Sequence, residues 1–577
     1  MTKTSPGARL QQLESARNWR GPGSGSGVEK LLGLLRADSF RDTSSLIRFH
    51  DALLFLRAFP QNRTVAREAE RLLANIGAEV ARLRKSGADM EKFDSEAVSG
   101  IAGTAVSDTF TYEVARWLTR RFPRQVRAAW DVEAQARRLG ATLPRFVPLL
   151  EDDSLVEADT PYLTWLGNAS GEGRELEWLL ERFEDAPLSM AQKTEIYDAL
   201  GIQLHWELKD CPASRTLARR AVKEFFFHQE PLIRRNQVSL ADEFLSPPLP
   251  INKLGRQAGE EILNMCRDAV TVRYRELYGT TRGDPAQVYV SNAGRGVEIF
   301  LWGLPPERRL PLRAYHAGFT LKNGVPVNYI EGISLFEWME VGFNTFYAYR
   351  DGETAWIYAK ALHFLHQLTG VTSISVYPYQ LGHENEEAIQ SGAFWFYRKL
   401  GFRPGRADLL ALAQKEERKI AGDPKHRTSP QTLRKLAAGH AFYEMESQPR
   451  GRWDTFSTRN LGFAAERSMA TRYHGDPEAL RSETRARLER LLDVDRLSWG
   501  AAEQTAFENF AVLLMLVPEI PDWSSAEKKA LVDIIRAKAA PNEADYLHLL
   551  QRHDSLREAL LRLGSSPIAV KTDSAHF

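Results

Sequence analysis

Two short stretches carry residue types able to handle a charged or reactive group. In Tyr347-Ala348-Tyr349-Arg350-Asp351-Gly352-Glu353-Thr354-Ala355 a strand end turns into a helix start. A helix start presents unpaired N–H groups and the positive end of its dipole, which together suit a pyrophosphate. Arg350, Asp351, Gly352, Glu353, Thr354 and Ala355 are the residues that would surround it. The same residues also read as an ordinary helix start with Asp351 as N-cap. The second stretch, His383-Glu384-Asn385-Glu386-Glu387, stands between a strand and a helix. Taking a proton from an ammonium requires an imidazole or a carboxylate, and His383 and Glu386 are the candidates. Acidic residues at a helix start also complement the dipole with no chemistry attached, so that alternative stays open. No other His or Cys stands at metal-ligand spacing from His383, and no metal is expected.

Both stretches depend on the elements around them. Period-2 patterning predicts strands at Gln287–Val290, Val297–Trp302, Leu312–Leu321 and Val325–Ile330, the last two forming a hairpin. Its connection, Lys322-Asn323-Gly324, holds the Asn-Gly pair that favours the positive dihedrals of a type I′ turn. Another extended stretch, Met339–Tyr349, leads to a helix over Gly352–Thr369 that stops at Gly370. A strand at Val371–Tyr377 and a helix from about Glu386 to Leu400, stopped by Gly401, complete the order. Upstream, Ser246-Pro247-Pro248-Leu249-Pro250 cannot continue a helix and reads as a connector. A helix from Leu254 to Leu277 follows it.

This order resembles that of the GNAT N-acyltransferases over roughly a fifth of the chain. The match rests best on Ala393-Phe394-Trp395-Phe396-Tyr397-Arg398-Lys399-Leu400-Gly401-Phe402, similar to the family's closing pattern of Ala, three residues, Tyr, three residues, Gly-Phe. The resemblance implies an acyl-CoA co-substrate such as acetyl-CoA, an amine acceptor that is a small molecule or a protein, and Tyr397 as the general acid for the departing thiolate. Tyr397 also fits the aromatic packing face of Phe394, Trp395 and Phe396. In the family the Arg350–Ala355 loop holds the coenzyme. Arg350 and Ala355 match its outer positions, whereas Gly352 arrives one residue early and Glu353 stands in place of a glycine, setting a carboxylate against the phosphates. The family's Asn before the last helix corresponds either to Asn385 or to Gln390. Two other readings accompany this one. A non-catalytic interaction scaffold of the same fold would have its cleft filled by Trp356 or Trp395. An aminoacyl-tRNA-dependent transferase of the Fem-like branch is suggested by eleven Lys or Arg against four acids between Arg398 and Lys435. That run also reads as a solvated charged helix.

The rest of the chain bounds these readings. With 577 residues, two to four domains are expected. The fold class expected is α+β, a GNAT-like mixed sheet flanked by helical regions. Residues 1–28 read as a flexible tail, 29–245 as a helical domain, 254–408 as the acyltransferase-like domain, 409–564 as a helical region and 565–577 as a second tail. A net charge of +1 gives no global field for nucleic acid or an anionic membrane. Cys211 and Cys266 form no CxxC pattern and read as buried thiols in a reducing compartment. No signal-peptide core and no bilayer-length apolar run is found, so a cytoplasmic protein with no membrane partner is expected. Asp152, Asp153, Glu157 and Asp159 read as surface. Asn292-Ala293-Gly294-Arg295-Gly296 reads as a turn.

Overall fold

The computed structural model describes residues 5–21, 23–36, 38–147, 160–171, 173–423 and 425–565. The acidic cluster at Asp152–Asp159 and residues 566–577 of the expected second tail lie outside them.

Much of the described part of the stretch expected as a flexible N-terminal tail is helical instead. Ser5 caps α1 (Pro6–Ala16) by accepting the Ala8 N–H at 3.3 Å. Leu10 and Leu13 of that helix are wholly buried, because α2 (Ser24–Leu35) and α3 (Thr43–Ala58) offer them an apolar surface. So short an apolar pair is not stable as an isolated helix and becomes ordered by tertiary packing, which local composition does not reveal. The region to residue 245 is not purely helical either. β1 (Ala105–Asp108), followed by α4 (Tyr112–Arg121), joins β2 (Val126–Ala129) and β3 (Gln203–Glu207) in a three-stranded antiparallel sheet of order β1-β3-β2. Strands of four or five residues leave too brief an alternation to read against helical neighbours. Here the cores divide differently from the expected boundary. Residues from Leu10 to Ile101 share one core with the central sheet, while Val106 to Ala213 enclose their own around Trp206.

The central sheet begins at β4 (Ile251–Lys253), beyond the proline-rich connector. The chain then runs through α5 (Arg256–Thr271), β5 (Val288–Gly294), β6 (Val297–Trp302), β7 (Ala314–Lys322), β8 (Val325–Leu335) and β9 (Trp338–Thr345). Next come α6 (Thr354–Thr369), β10 (Ser373–Val376), α7 (Glu386–Ser391), α8 (Ala393–Arg398), β11 (Arg403–Pro404), α9 (Ala407–Gly422) and β12 (Ala441–Glu444). Nine strands pair in the order β11-β12-β10-β9-β8-β7-β6-β5-β4. Every neighbouring pair is antiparallel except β9 with β10, which is parallel and crosses over through α6. The architecture is α+β, with helices flanking a multi-strand sheet.

The β7–β8 turn has the chemistry its sequence demands, with Asn323 at φ 49° and Gly324 at φ 78°. All nine residues of β7 are buried, so both faces of the sheet are covered there. β12 falls inside the region expected to be a helical C-terminal domain, yet it lies between β11 and β10. Residues 458–565 are mainly helical and form a further core, which also takes in Leu335 and Trp338 of the sheet and Phe336 of the turn between them. Among the described residues no helix is long and apolar enough to cross a membrane.

Candidate functional site

The parallel pair leaves an opening in the sheet. β9 and β10 pair only at Trp338–Ser373, Met339–Ile374 and Glu340–Ser375. Beyond Glu340, β9 continues to Thr345 while β10 ends at Val376 and the chain turns away at Pro378. The far half of β9 is therefore without a strand neighbour on that side. A cleft of about 330 Å³ opens beside it, lined by Asn344 and Thr345 of β9, Arg350 and Thr354 at the start of α6, and Asn385, Glu387 and Tyr397 opposite.

The helix-start residues divide between two environments. Arg350 and Thr354 line the cleft. α6 has no side-chain cap: Glu353, not Asp351, holds the N-cap position, and its carboxylate is turned elsewhere. Uncapped first-turn N–H groups are the donors a helix start offers to an anion. Asp351 points outward and pairs with Arg17 at 2.5 Å. Gly352 packs on Phe59, where a Cβ would come within 2.6 Å of the ring. Ala355 is buried in the core. Asp351, Gly352, Glu353 and Ala355 are thus not among the cleft residues, because the N-terminal helices cover that side of the loop.

Glu353 does not oppose an anion in the cleft. Its side chain is fully buried, with Arg295 at 2.5 Å, Lys322 at 3.5 Å and the Ile233 N–H donating at 3.1 Å. Two cations neutralise it, so the charge that the sequence sets against a phosphate is compensated inside the protein. Burial pushes the Lys322 ammonium down to about 7, outweighing the attraction of Glu353.

The expected base cluster is rotated from its predicted facing. His383 is exposed and outside the cleft, and Glu386 points to solvent, pairing with Arg434 at 2.8 Å. One residue on, about 100° around the helix, Glu387 faces the cleft. Its carboxylate accepts from the Tyr347 hydroxyl at 2.6 Å and from Arg350. Burial alone would raise the Glu387 carboxyl, but those hydrogen bonds and the charges of Arg350 and Arg275 together hold it below its ordinary range. Burial and the bond to Glu387 push the Tyr347 hydroxyl up to about 12. Asn385 caps α7 by accepting the Ala388 N–H at 3.1 Å and faces the cleft, whereas Gln390 is exposed.

Tyr397 stands in the cleft wall. The helix expected from Glu386 to Leu400 is broken at Gly392, whose φ of 68° ends α7 and starts α8. The Tyr397 ring packs against Phe396, Phe402 and Tyr358, and its hydroxyl makes no hydrogen bond to any described residue. Burial raises its hydroxyl, which stays protonated throughout the neutral range. Tyr397 is thus packed through its ring, with its oxygen unpartnered among the described residues. Trp356 and Trp395 do not line the cleft; the Trp395 indole instead donates to Thr428 at 3.1 Å.

Much of the basic run is self-neutralised, since Arg398, Arg403, Arg406, Lys419 and Arg434 each face a carboxylate. Glu96 and Arg275, which pair with each other at the cleft, carry no signal in the sequence because they come from loops remote from both motifs. Tyr347 and Glu387 lie inside the two motifs, but periodicity does not fix which neighbour faces inward. No family model, no curated protein and no solved structure matches this chain.

Proposed function

We propose that this protein is a GNAT-like N-acyltransferase that moves an acyl group from acyl-CoA to an amine, with its site in the cleft beside β9. The observation that carries this reading is the splayed parallel pair, which opens beside an uncapped helix start and faces Tyr397. The residues present fit a phosphate-bearing thioester on one side of the loop. Thr354 and the first turn of α6 would hold its phosphates, and Arg350 would join them by leaving Glu387. That exchange costs little, because the Arg350–Glu387 pair is partly exposed. Bound acyl-CoA supplies an activated acyl thioester. Unpaired backbone donors along the free edge of β9 suit a developing oxyanion. Tyr397 keeps its proton at neutral pH and donates it to the departing sulfur. With Arg350 drawn to the phosphates, the Glu387 carboxylate is left to hold the incoming ammonium and accept its proton, directly or through water. In a purely structural GNAT-like scaffold Trp356 or Trp395 would fill the space, and the open cleft favours the catalytic reading.

The test is calorimetric titration with CoA, followed by thiol release from acetyl-CoA with a panel of amines. Saturable binding at or below about 1 mM together with amine-dependent release is the expected result. Absence of any CoA heat in that range removes the proposal.

A further inference from the structure

A second cavity, of about 470 Å³, lies between α4 of the small-sheet unit and α5 of the central unit. Its walls are strongly cationic, with Arg116, Arg120 and Arg121 from α4, Arg267 from α5, and Arg275 just beyond it. Arg275 also lines the β9 cleft, so the two spaces share a wall. Trp117 adds an aromatic surface and is oriented by its indole N–H, which donates to Asn264 at 2.9 Å.

These arginines are held in two ways. Arg121 is clamped by Asp268 through bonds of 3.0 and 2.7 Å. Arg267 is tied to Glu260 at 3.0 Å and to the Thr280 carbonyl at 3.2 Å. Both are fixed parts of the wall. Arg116 and Arg120, by contrast, share the single carboxylate of Glu184, which Arg116 reaches only at 3.3 Å. On the same wall Glu113 is likewise shared by Arg282 and Arg308. Two guanidiniums on one carboxylate leave positive charge and N–H donors uncommitted. A guanidinium fork matches the paired oxygens of a carboxylate or phosphate, and a concave wall of one sign concentrates such anions.

We infer that this cavity receives the acidic group, a carboxylate or a phosphate, of the amine acceptor, with Arg116 and Arg120 as its ligands and Arg275 on the side leading to the cleft. The acceptor role rests on the acyl-transfer reading, whereas anion capture stands on the cavity alone.

Trp117 makes capture observable. Titrating the full chain with inorganic phosphate, and separately with succinate, should give a saturable change in tryptophan fluorescence that is absent in Trp117→Phe. The stronger response of the two identifies the acidic group. The double variant R116Q/R120Q should weaken the response at least tenfold, while R116K/R120K, which keeps the charge, should retain most of it; a melting curve matching the parent shows that either variant is folded. A second readout compares acceptors: R116Q/R120Q should raise KM for an acidic amine at least tenfold more than for a neutral amine. No saturable response to either anion, or a response unchanged by R116Q/R120Q, overturns the site. Anion binding without transfer from acetyl-CoA to any amine leaves the anion site standing and removes the acyltransferase reading. Transfer with equal KM changes for acidic and neutral amines overturns the acceptor role.

Discussion

Glu353 and Arg295 form a guanidinium–carboxylate pair at 2.5 Å with none of the Glu353 side chain exposed. The pair fastens the start of α6 to the turn between β5 and β6, and Lys322 at the end of β7 completes it. Removing one member strands the others in the interior. Glu353→Ala should destabilise the protein by about 3–5 kcal/mol, read from urea unfolding. A loss below about 1 kcal/mol would mean that solvent relaxes into the site and that the pair does not hold the loop.

The same cluster predicts a pH dependence. Lys322 is fully buried, its ammonium near the rings of Phe59 and Phe226, and burial pushes it down to about 7 from an ordinary 10.5. Between those two values the unfolded chain holds a proton that the folded protein has released. Stability therefore rises with pH across that window, and the cost of the buried charge is felt in full below it. Relative to Lys322→Met, the wild type should gain a few kcal/mol, roughly, between about pH 7 and about pH 10. A difference that stays flat across that range contradicts the assignment.

The order of sheet and helices was legible because it is written in local chemistry. The Asn323-Gly324 turn, the Gly370 stop and the apolar run of β6 each follow from a few adjacent residues. What was not legible depends on contacts distant in sequence. α1 is ordered by α2 and α3 together, β1 finds β3 about a hundred residues away, and β12 inserts beside β10 after a long helical excursion. At the site, both motifs lie against the cleft, but the residues facing it are offset. Glu387 rather than Glu386 turns inward, and Glu353 turns away because Arg295 and Lys322 wait beneath it. Facing is set by packing, to which a run of acidic residues gives no clue.

That offset separates two adjacent carboxylates experimentally. Glu387→Gln keeps the shape but removes the charge that balances Arg350 and accepts from Tyr347. Its turnover should fall on the order of 10²-fold. Glu386→Gln loses only an exposed pair with Arg434 and should turn over at the parental rate. Parallel measurements of kcat on the two variants decide the point, and a loss in Glu386→Gln with parental turnover in Glu387→Gln would return the role to the exposed position.

Tyr397 allows its two roles to be told apart. Its ring is committed to packing against Phe396, Phe402 and Tyr358, while its hydroxyl has no hydrogen-bond partner among the described residues. Tyr397→Phe keeps the ring and removes only the oxygen. Stability should change by no more than about 0.5 kcal/mol, since no hydrogen bond is lost. If the hydroxyl protonates the leaving thiolate, kcat should nevertheless fall roughly 10²-fold or more, with KM for acetyl-CoA little altered. The loss should shrink for acyl donors whose thiol is more acidic, because a better leaving group needs less help from the acid. A residue that only packs would retain kcat as well as stability in Tyr397→Phe, because the ring is kept.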